Sequence, residues 1–270
     1  MIEHGSVTPT LQHTLLPVDS LRGLSSNRPA AGSDRLPEAW SLAVGEYHVW
    51  CAELAAGVDE ITSFQGALSR SELERAGRFR FENDRDAYIV RRGILRKLLG
   101  GYLGASPDHL EFSSNVWGKP YLARPWDLID LRFSLSHSKG LALYAFARGR
   151  EIGVDIECVR PFPDWISVAQ RVLSPDERVE LNALPPEARL PAFFNGWTRK
   201  EAVLKALGEG IGAGMERVEV SLTTDNTVRL LGIRGDTTAC VRWSLHHLVP
   251  APGFVAAAAV HTPDIRFVQP

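Results

Sequence analysis

The segment Ile152-Gly153-Val154-Asp155-Ile156-Glu157 alternates apolar and acidic residues, and that alternation constrains the fold more than any other stretch of the chain. A period of two dictates a strand whose apolar side chains enter a core while Asp155 and Glu157 project together from the opposite face. Downstream comes Trp197-Thr198-Arg199-Lys200-Glu201-Ala202-Val203-Leu204-Lys205. The spacing of four between Trp197, Glu201 and Lys205 predicts one side of a helix, and Leu204 and Leu207 continue an apolar stripe. Packing this helix on this strand gathers three carboxylates and two lysines. Clustered carboxylates repel one another unless a cation lies among them, and hard oxygen ligands suit Mg²⁺. Lysines beside such a cation point to a phosphate. Each piece alone has a plainer reading: alternating acids mark a solvated strand face, and Glu201 with Lys205 forms an ordinary helical surface pair.

Two upstream motifs favour the joint reading. Phe133-Ser134-Leu135-Ser136-His137-Ser138 runs through the turn Lys139-Gly140 into Leu141-Ala142-Leu143-Tyr144-Ala145-Phe146, the pattern of a hairpin. Earlier still, Trp117-Gly118-Lys119-Pro120 forms a turn that presents a lysine. In this order the four motifs resemble those of the 4′-phosphopantetheinyl transferases, and of their larger Sfp-type members in particular. That family carries a GKP turn, an SHS strand end, a (V/I)G(V/I)DIE strand and a WxxKEAxxK helix, and the clear resemblance spans residues 65–215.

The resemblance implies an α+β fold of two similar subdomains in pseudo-two-fold arrangement, with the active site in the cleft between them. It implies transfer of the phosphopantetheine arm of coenzyme A to a serine of an apo acyl or peptidyl carrier protein, with release of adenosine 3′,5′-bisphosphate. By the same resemblance Asp155, Glu157 and Glu201 hold Mg²⁺ on the pyrophosphate and Lys205 adds positive charge. Glu201 is also a candidate general base, directly or through a water, although a bound cation lowers a carboxylate's basicity. His137 and Ser136 match contacts to the 3′-phosphate of coenzyme A, and Lys119 matches another coenzyme A contact. Arg92 falls where the family places a helix arginine near that phosphate, and Arg75 where some members have a lysine. Position 72 departs from the pattern, being Glu where some members have a second lysine. Lys200 faces away from Glu201, toward either the phosphates or a carboxylate. Glu177 follows Ser174-Pro175 and reads first as part of a helix cap.

The stretch from Arg70 to Lys97 is the most basic in the chain, and a helix from about Asp84 would bury Ala87, Val90, Ile94, Leu95, Leu98 and Leu99. Interleaved acids and a net charge of −2 argue against nucleic acid as its partner. Cys51, Cys158 and Cys240 are odd in number and scattered, giving neither a disulfide framework nor zinc spacing. No run of eighteen apolar residues and no leader pattern is present, so the expectation is a cytoplasmic enzyme that leaves membranes alone. Residues 1–40, rich in Ser, Pro, Gly and Ala, read as a partly ordered extension that the core does not need. Residues 41–149 then form the coenzyme A-binding subdomain and 150–270 the subdomain carrying metal and catalytic residues.

Strands are expected at Glu46–Leu54, Glu151–Cys158, Val218–Leu222, Thr227–Ile233, Cys240–Leu248 and Gly253–His261, and helices at Pro175–Ala183 and Pro191–Leu207. The glycine-rich run Gly208–Gly214 suits a mobile loop near the pantetheine or the carrier. A cleft closed within one chain makes a monomer the default. The rival in another class is a non-catalytic module that binds coenzyme A or a carrier without transferring anything. No Walker loop or kinase signature supports a different phosphotransferase.

Overall fold

The computed structural model describes residues 15–17, 41–43, 46–210, 214–223 and 228–262. Apart from 15–17, the expected N-terminal extension lies outside the described residues, as do 211–213 of the glycine-rich run and the start of the strand expected from Thr227.

The first half runs β1 (Leu15–Pro17), β2 (Tyr47–Glu53), α1 (Val58–Gln65), α2 (Arg70–Ala76), α3 (Glu82–Leu103), β3 (Phe112–Ser114), β4 (Pro120–Leu122), β5 (Leu131–Ser138) and β6 (Leu141–Arg148). The second runs β7 (Ile152–Cys158), α4 (Trp165–Val172), α5 (Pro175–Ala183), α6 (Pro186–Leu207), β8 (Val218–Val220), β9 (Leu230–Ile233), α7 (Ala239–Arg242), β10 (Trp243–Leu248) and β11 (Phe254–His261). One sheet has the order β1-β2-β6-β5 and another β10-β11-β7, with small hairpins β3-β4 and β8-β9 beside them. β1 joins the first sheet parallel to β2, so a piece of the N-terminal extension does belong to the core architecture.

The layers follow from alternation along the strands. Trp50, Phe133, Tyr144 and Phe146 face α3, whose Val90, Ile94, Leu95, Leu98 and Leu99 fill the space between. The other face of that sheet sends Tyr47, Val49, Leu143 and Ala145 against Ile152, Val154, Ile156, Ala256 and Ala258 of the second sheet. On the far side α6 covers the second sheet. The order is therefore helix, sheet, sheet, helix. Each outer helix is 22 residues long and ends in a left-handed glycine, Gly104 for α3 and Gly208 for α6. This is an α+β fold of two similar halves.

Three expected elements begin elsewhere, and one of them, the strand expected from Thr227, starts at Leu230. α6 starts at Pro186, not Pro191, because Pro191 lies close to the helix start and forfeits only one early N–H bond. Cys240 to Arg242 form a helical turn, and the strand begins only at Trp243.

Close packing of α6 on β7 sets the site. A Cβ on Gly153 would lie 2.0 Å from the Ala202 carbonyl oxygen and 2.4 Å from the Ala206 nitrogen, so only glycine allows this approach. The neighbouring strand presents Ala257 and Ala259 opposite Asp155 and Gly153, so the helix lies on a floor of small side chains. Asp155, two residues along the same face, is thereby brought beneath the helix.

Candidate active site

Glu201 and Lys205 lie one helical turn apart on α6 and face β7. Lys205 Nζ donates to Asp155 Oδ1 at 2.6 Å and to Ser136 Oγ at 2.9 Å. Ser136 in turn donates to Asp155 Oδ1 at 2.6 Å, and Ser138 donates to Glu157 Oε2 at 2.8 Å. Asp155 and Glu201 are buried, yet Asp155 Oδ2 and Glu201 Oε1 have no hydrogen-bond partner among the described residues. Buried oxygens without donors are costly and uncommon, and here two of them belong to neighbouring carboxylates. Burial, with the charges of Asp155 and Glu157, pushes the Glu201 carboxyl up to about 7 despite the nearby Lys205 ammonium. Burial also raises Glu157, partly offset by the Ser138 bond. These groups feel one another, and what their field lacks is positive charge. They do not form a closed cage: no group of three His, Cys, Asp or Glu among the described residues has the arrangement to hold a metal ion by itself.

The Ser136-His137-Ser138 motif divides by face. Both serines point toward β7, while His137 lies on the α3 side with Phe133 and Leu135. The residue as a whole is exposed, but partial burial of its ring and the charges of Arg91 and Lys205 hold the imidazole down at about 4. Arg91 and Arg75 approach one aromatic ring, with guanidinium carbons 5.8 Å and 5.5 Å from the centroid of Tyr88. Neither takes part in a salt bridge among the described residues. Their neighbours do: Arg70 pairs with Glu74, and Arg85 with Glu82 and Asp86.

Four of the residues expected to touch coenzyme A are engaged inside the protein. Arg92 donates to Glu72 and stacks over Phe112, and the arginine whose charge acts on His137 is Arg91, one residue earlier on the helix. The same carboxylate accepts Arg96 Nε at 2.5 Å. Burial alone would raise Glu72, but Arg92, the Ser69 N–H and Arg96 together hold it below the usual carboxylate range. The acidic residue at position 72 is thus a buried clamp for two arginines. Ser136 spends its hydroxyl on Asp155 and Lys205, as above. Lys119 Nζ donates to Glu151 at 2.8 Å and to the Ala206 carbonyl at 3.0 Å, capping the end of α6. It lines a cavity of about 210 Å³ with Arg132, Glu151 and Gly208, whose lining does not include the three carboxylates.

Lys200, the fourth, is fully buried on the opposite side of α6 from the site. It pairs with Glu177 at 2.6 Å and donates to the Met215 carbonyl at 3.1 Å and to that of Val218. Burial pulls its ammonium down and Glu177 pulls it back toward the charged form. Glu177 does complete a capping box with Ser174, and its other oxygen accepts the Val220 N–H at 2.8 Å. Cap and ion pair together tie α5, α6 and β8.

A family model described as the 4′-phosphopantetheinyl transferase superfamily matches residues 151–259, and one described as the N-terminal part of 4′-phosphopantetheinyl transferase matches 56–147. The chain is 40% identical over 224 residues to the 4′-phosphopantetheinyl transferase HetI of Nostoc sp., covering 83% of this chain and 91% of that protein. Against the 4′-phosphopantetheinyl transferase Sfp of Bacillus subtilis it is 26% identical over 172 residues, covering 64% of this chain and 74% of that one. A solved structure titled as an ACPS–CoA complex overlaps 43% of this chain and 100% of its own at 19% identity and TM-score 0.33, too little to bear on the fold. The chain belongs to the Sfp-type 4′-phosphopantetheinyl transferase family.

Proposed function

We propose that this protein is a Mg²⁺-dependent transferase that moves the 4′-phosphopantetheine arm of coenzyme A to a serine hydroxyl of an apo acyl or peptidyl carrier protein. Adenosine 3′,5′-bisphosphate is the other product. The observation that carries the reading is the pair of buried, donorless oxygens, Asp155 Oδ2 and Glu201 Oε1, beside the Lys205 ammonium. All-oxygen donors fit Mg²⁺, which keeps several waters and needs only one or two carboxylates rather than a closed protein cage. Asp155, Glu157 and Glu201 would hold it, and when bound it neutralises charge on the pyrophosphate.

The remaining steps fall to side chains. Lys205, anchored on Asp155 and Ser136 but 29% exposed, offers its ammonium to a nonbridging phosphate oxygen. The carrier serine loses its proton toward Glu201, directly or through a water, as its oxygen attacks the β-phosphorus. The bond to the 5′-phosphate oxygen breaks as the new ester forms. Arg75, Arg91 and His137 form the seat for the 3′-phosphate. A dianion placed among them meets two guanidinium groups that pair with no carboxylate among the described residues and an imidazole that takes up a proton as negative charge arrives.

Both walls of the site come from one chain, β5 from the first half and β7 with α6 from the second, which suits a monomer. In domain terms, 41–149 binds coenzyme A and 150–270 carries the metal ligands. No described helix is long and apolar enough to cross a membrane, and we place the enzyme in the cytoplasm with its coenzyme. Pairing of Arg70, Arg85, Arg92 and Arg96 with acids reduces the free positive charge of this region, which supports a partner other than nucleic acid.

The test is intact-mass analysis of apo carrier proteins incubated with the protein, coenzyme A and Mg²⁺. One phosphopantetheine should be added, and the addition should vanish on chelation or with Glu201→Ala. Tight coenzyme A binding without mass gain on any carrier would overturn transfer in favour of a binding module.

A further inference from the structure

β7 is hydrogen-bonded to β11 along one edge only. On its other edge the Val154 N–H is accepted by Ser134 Oγ at 3.1 Å and the Cys158 N–H by Ser138 Oγ at 3.2 Å. No backbone ladder joins β5 to β7; alternate serines of β5 replace it with hydroxyls. Ser134 and Ser138 do the same structural job, but Ser138 does one thing more. A hydroxyl has a single hydrogen. With its oxygen accepting from Cys158, Ser138 gives that hydrogen to Glu157 Oε2 at 2.8 Å. The chain of bonds runs N–H to O–H to carboxylate, each donor polarising the next.

We propose that Ser138 is a positioning residue for Glu157: it fixes one carboxylate oxygen so that the other is aimed at the cation. Ser136 stands in the same relation to Asp155, donating to Oδ1 and leaving Oδ2 without a partner. The proposal rests on the metal reading given above and adds a residue to it. Hydrogen bonds of this outer kind orient a ligand before the ion arrives, and losing one weakens metal binding by about ten- to a hundredfold.

Ser134 supplies the control, because its hydroxyl accepts from Val154 at the same seam while its described hydrogen bonds include no carboxylate. The experiment measures Mn²⁺ binding by electron paramagnetic resonance, and thermal unfolding, for the wild type, Ser134→Ala, Ser138→Ala, Ser138→Thr and Asp155→Asn, all without coenzyme A or carrier. Ser138→Ala should raise the Kd for Mn²⁺ about tenfold or more. Ser138→Thr should restore it, and Ser134→Ala should lower the unfolding temperature while leaving the Kd where it was. The proposal is overturned if Ser138→Ala binds Mn²⁺ as the wild type does, or if Ser134→Ala weakens binding equally, since either makes the serine a seam residue only. If the wild type binds Mn²⁺ no better than Asp155→Asn, the metal reading itself fails and takes this one with it.

Discussion

Glu72 and Glu201 are buried glutamates on opposite sides of the molecule, one packed under α3 and the other on α6. Glu72 is met by Arg92, Arg96 and the Ser69 N–H and stays readily ionised. Glu201 is met by two further carboxylates, keeps one oxygen without a donor among the described residues and is driven up to about 7. Burial is the same; company differs. A buried charge that holds the fold together is neutralised within the chain, whereas one that waits for a ligand is left short of positive charge.

Substituting the two glutamates should separate them most widely. Glu201→Gln is expected to cut the transfer rate by about 10³-fold, as loss of the proposed metal ligand and proton acceptor would, while the protein stays folded. Glu72→Gln strands two buried guanidinium groups and should cost about 3–5 kcal/mol in urea unfolding, with little change in rate per folded molecule. Equal rate losses without destabilisation would erase the distinction.

Lys200 and Glu201, adjacent in sequence, sharpen it. Lys200→Met leaves Glu177 buried and uncompensated, so stability should fall by about 3 kcal/mol while coenzyme A affinity holds. Adding Glu177→Gln should recover part of that loss. A raised KM for coenzyme A at full stability would instead return Lys200 to the phosphates.

Arg91 and Arg92 make a smaller contrast. Arg91→Gln should raise the KM for coenzyme A about tenfold, the worth of one charge-assisted hydrogen bond, and spare a substrate lacking the 3′-phosphate. Arg92→Gln should lower the unfolding temperature instead. Steady-state kinetics with coenzyme A and dephospho-coenzyme A distinguish the two.

The smallest effect belongs to His137. Its folded pKa of about 4 lies below the ordinary 6.5, so between these values the unfolded chain binds more protons. Stability therefore rises with pH across that window and is lost on acidification. Solvent at the partly open ring keeps the contribution small. An NMR titration should place the imidazole midpoint near 4 and move it upward in Arg91→Gln. A midpoint near 6.5 in the wild type would mean that neither burial nor Arg91 depresses the ring.

What the sequence made legible was local periodicity. Alternation in residues 152–157 put Asp155 and Glu157 on one face, and spacing by four put Glu201 and Lys205 on one side of a helix; the structure joins the two. Hidden were choices made by distant segments. That Arg92, and not Arg91, is taken up by an internal ion pair depends on α2 carrying Glu72 up to α3, a contact across 20 residues that helical phase does not encode. The partner of Lys200 sits 23 residues away on α5, and the only hint was an acid in a Ser-Pro-Asp-Glu cap that had a sufficient local explanation. Ser136 and Lys119 make hydrogen bonds that their motifs do not encode. Their motifs mark the site's neighbourhood, but tertiary packing decides whether a polar atom faces a ligand or a neighbouring helix end.

The contact between Gly153 and α6 also bears on what variation this protein tolerates. An extra methyl group at position 153 would overlap backbone atoms of Ala202 and Ala206, which cannot rotate aside as a side chain can. A saturation library there should return glycine alone under selection for carrier modification, even against alanine. Replacement would push the helix outward and carry Glu201 and Lys205 away from Asp155 as one rigid unit. The spacing between Asp155 and Glu201, the metal ligands proposed above, is thus inherited through a residue that has no side chain.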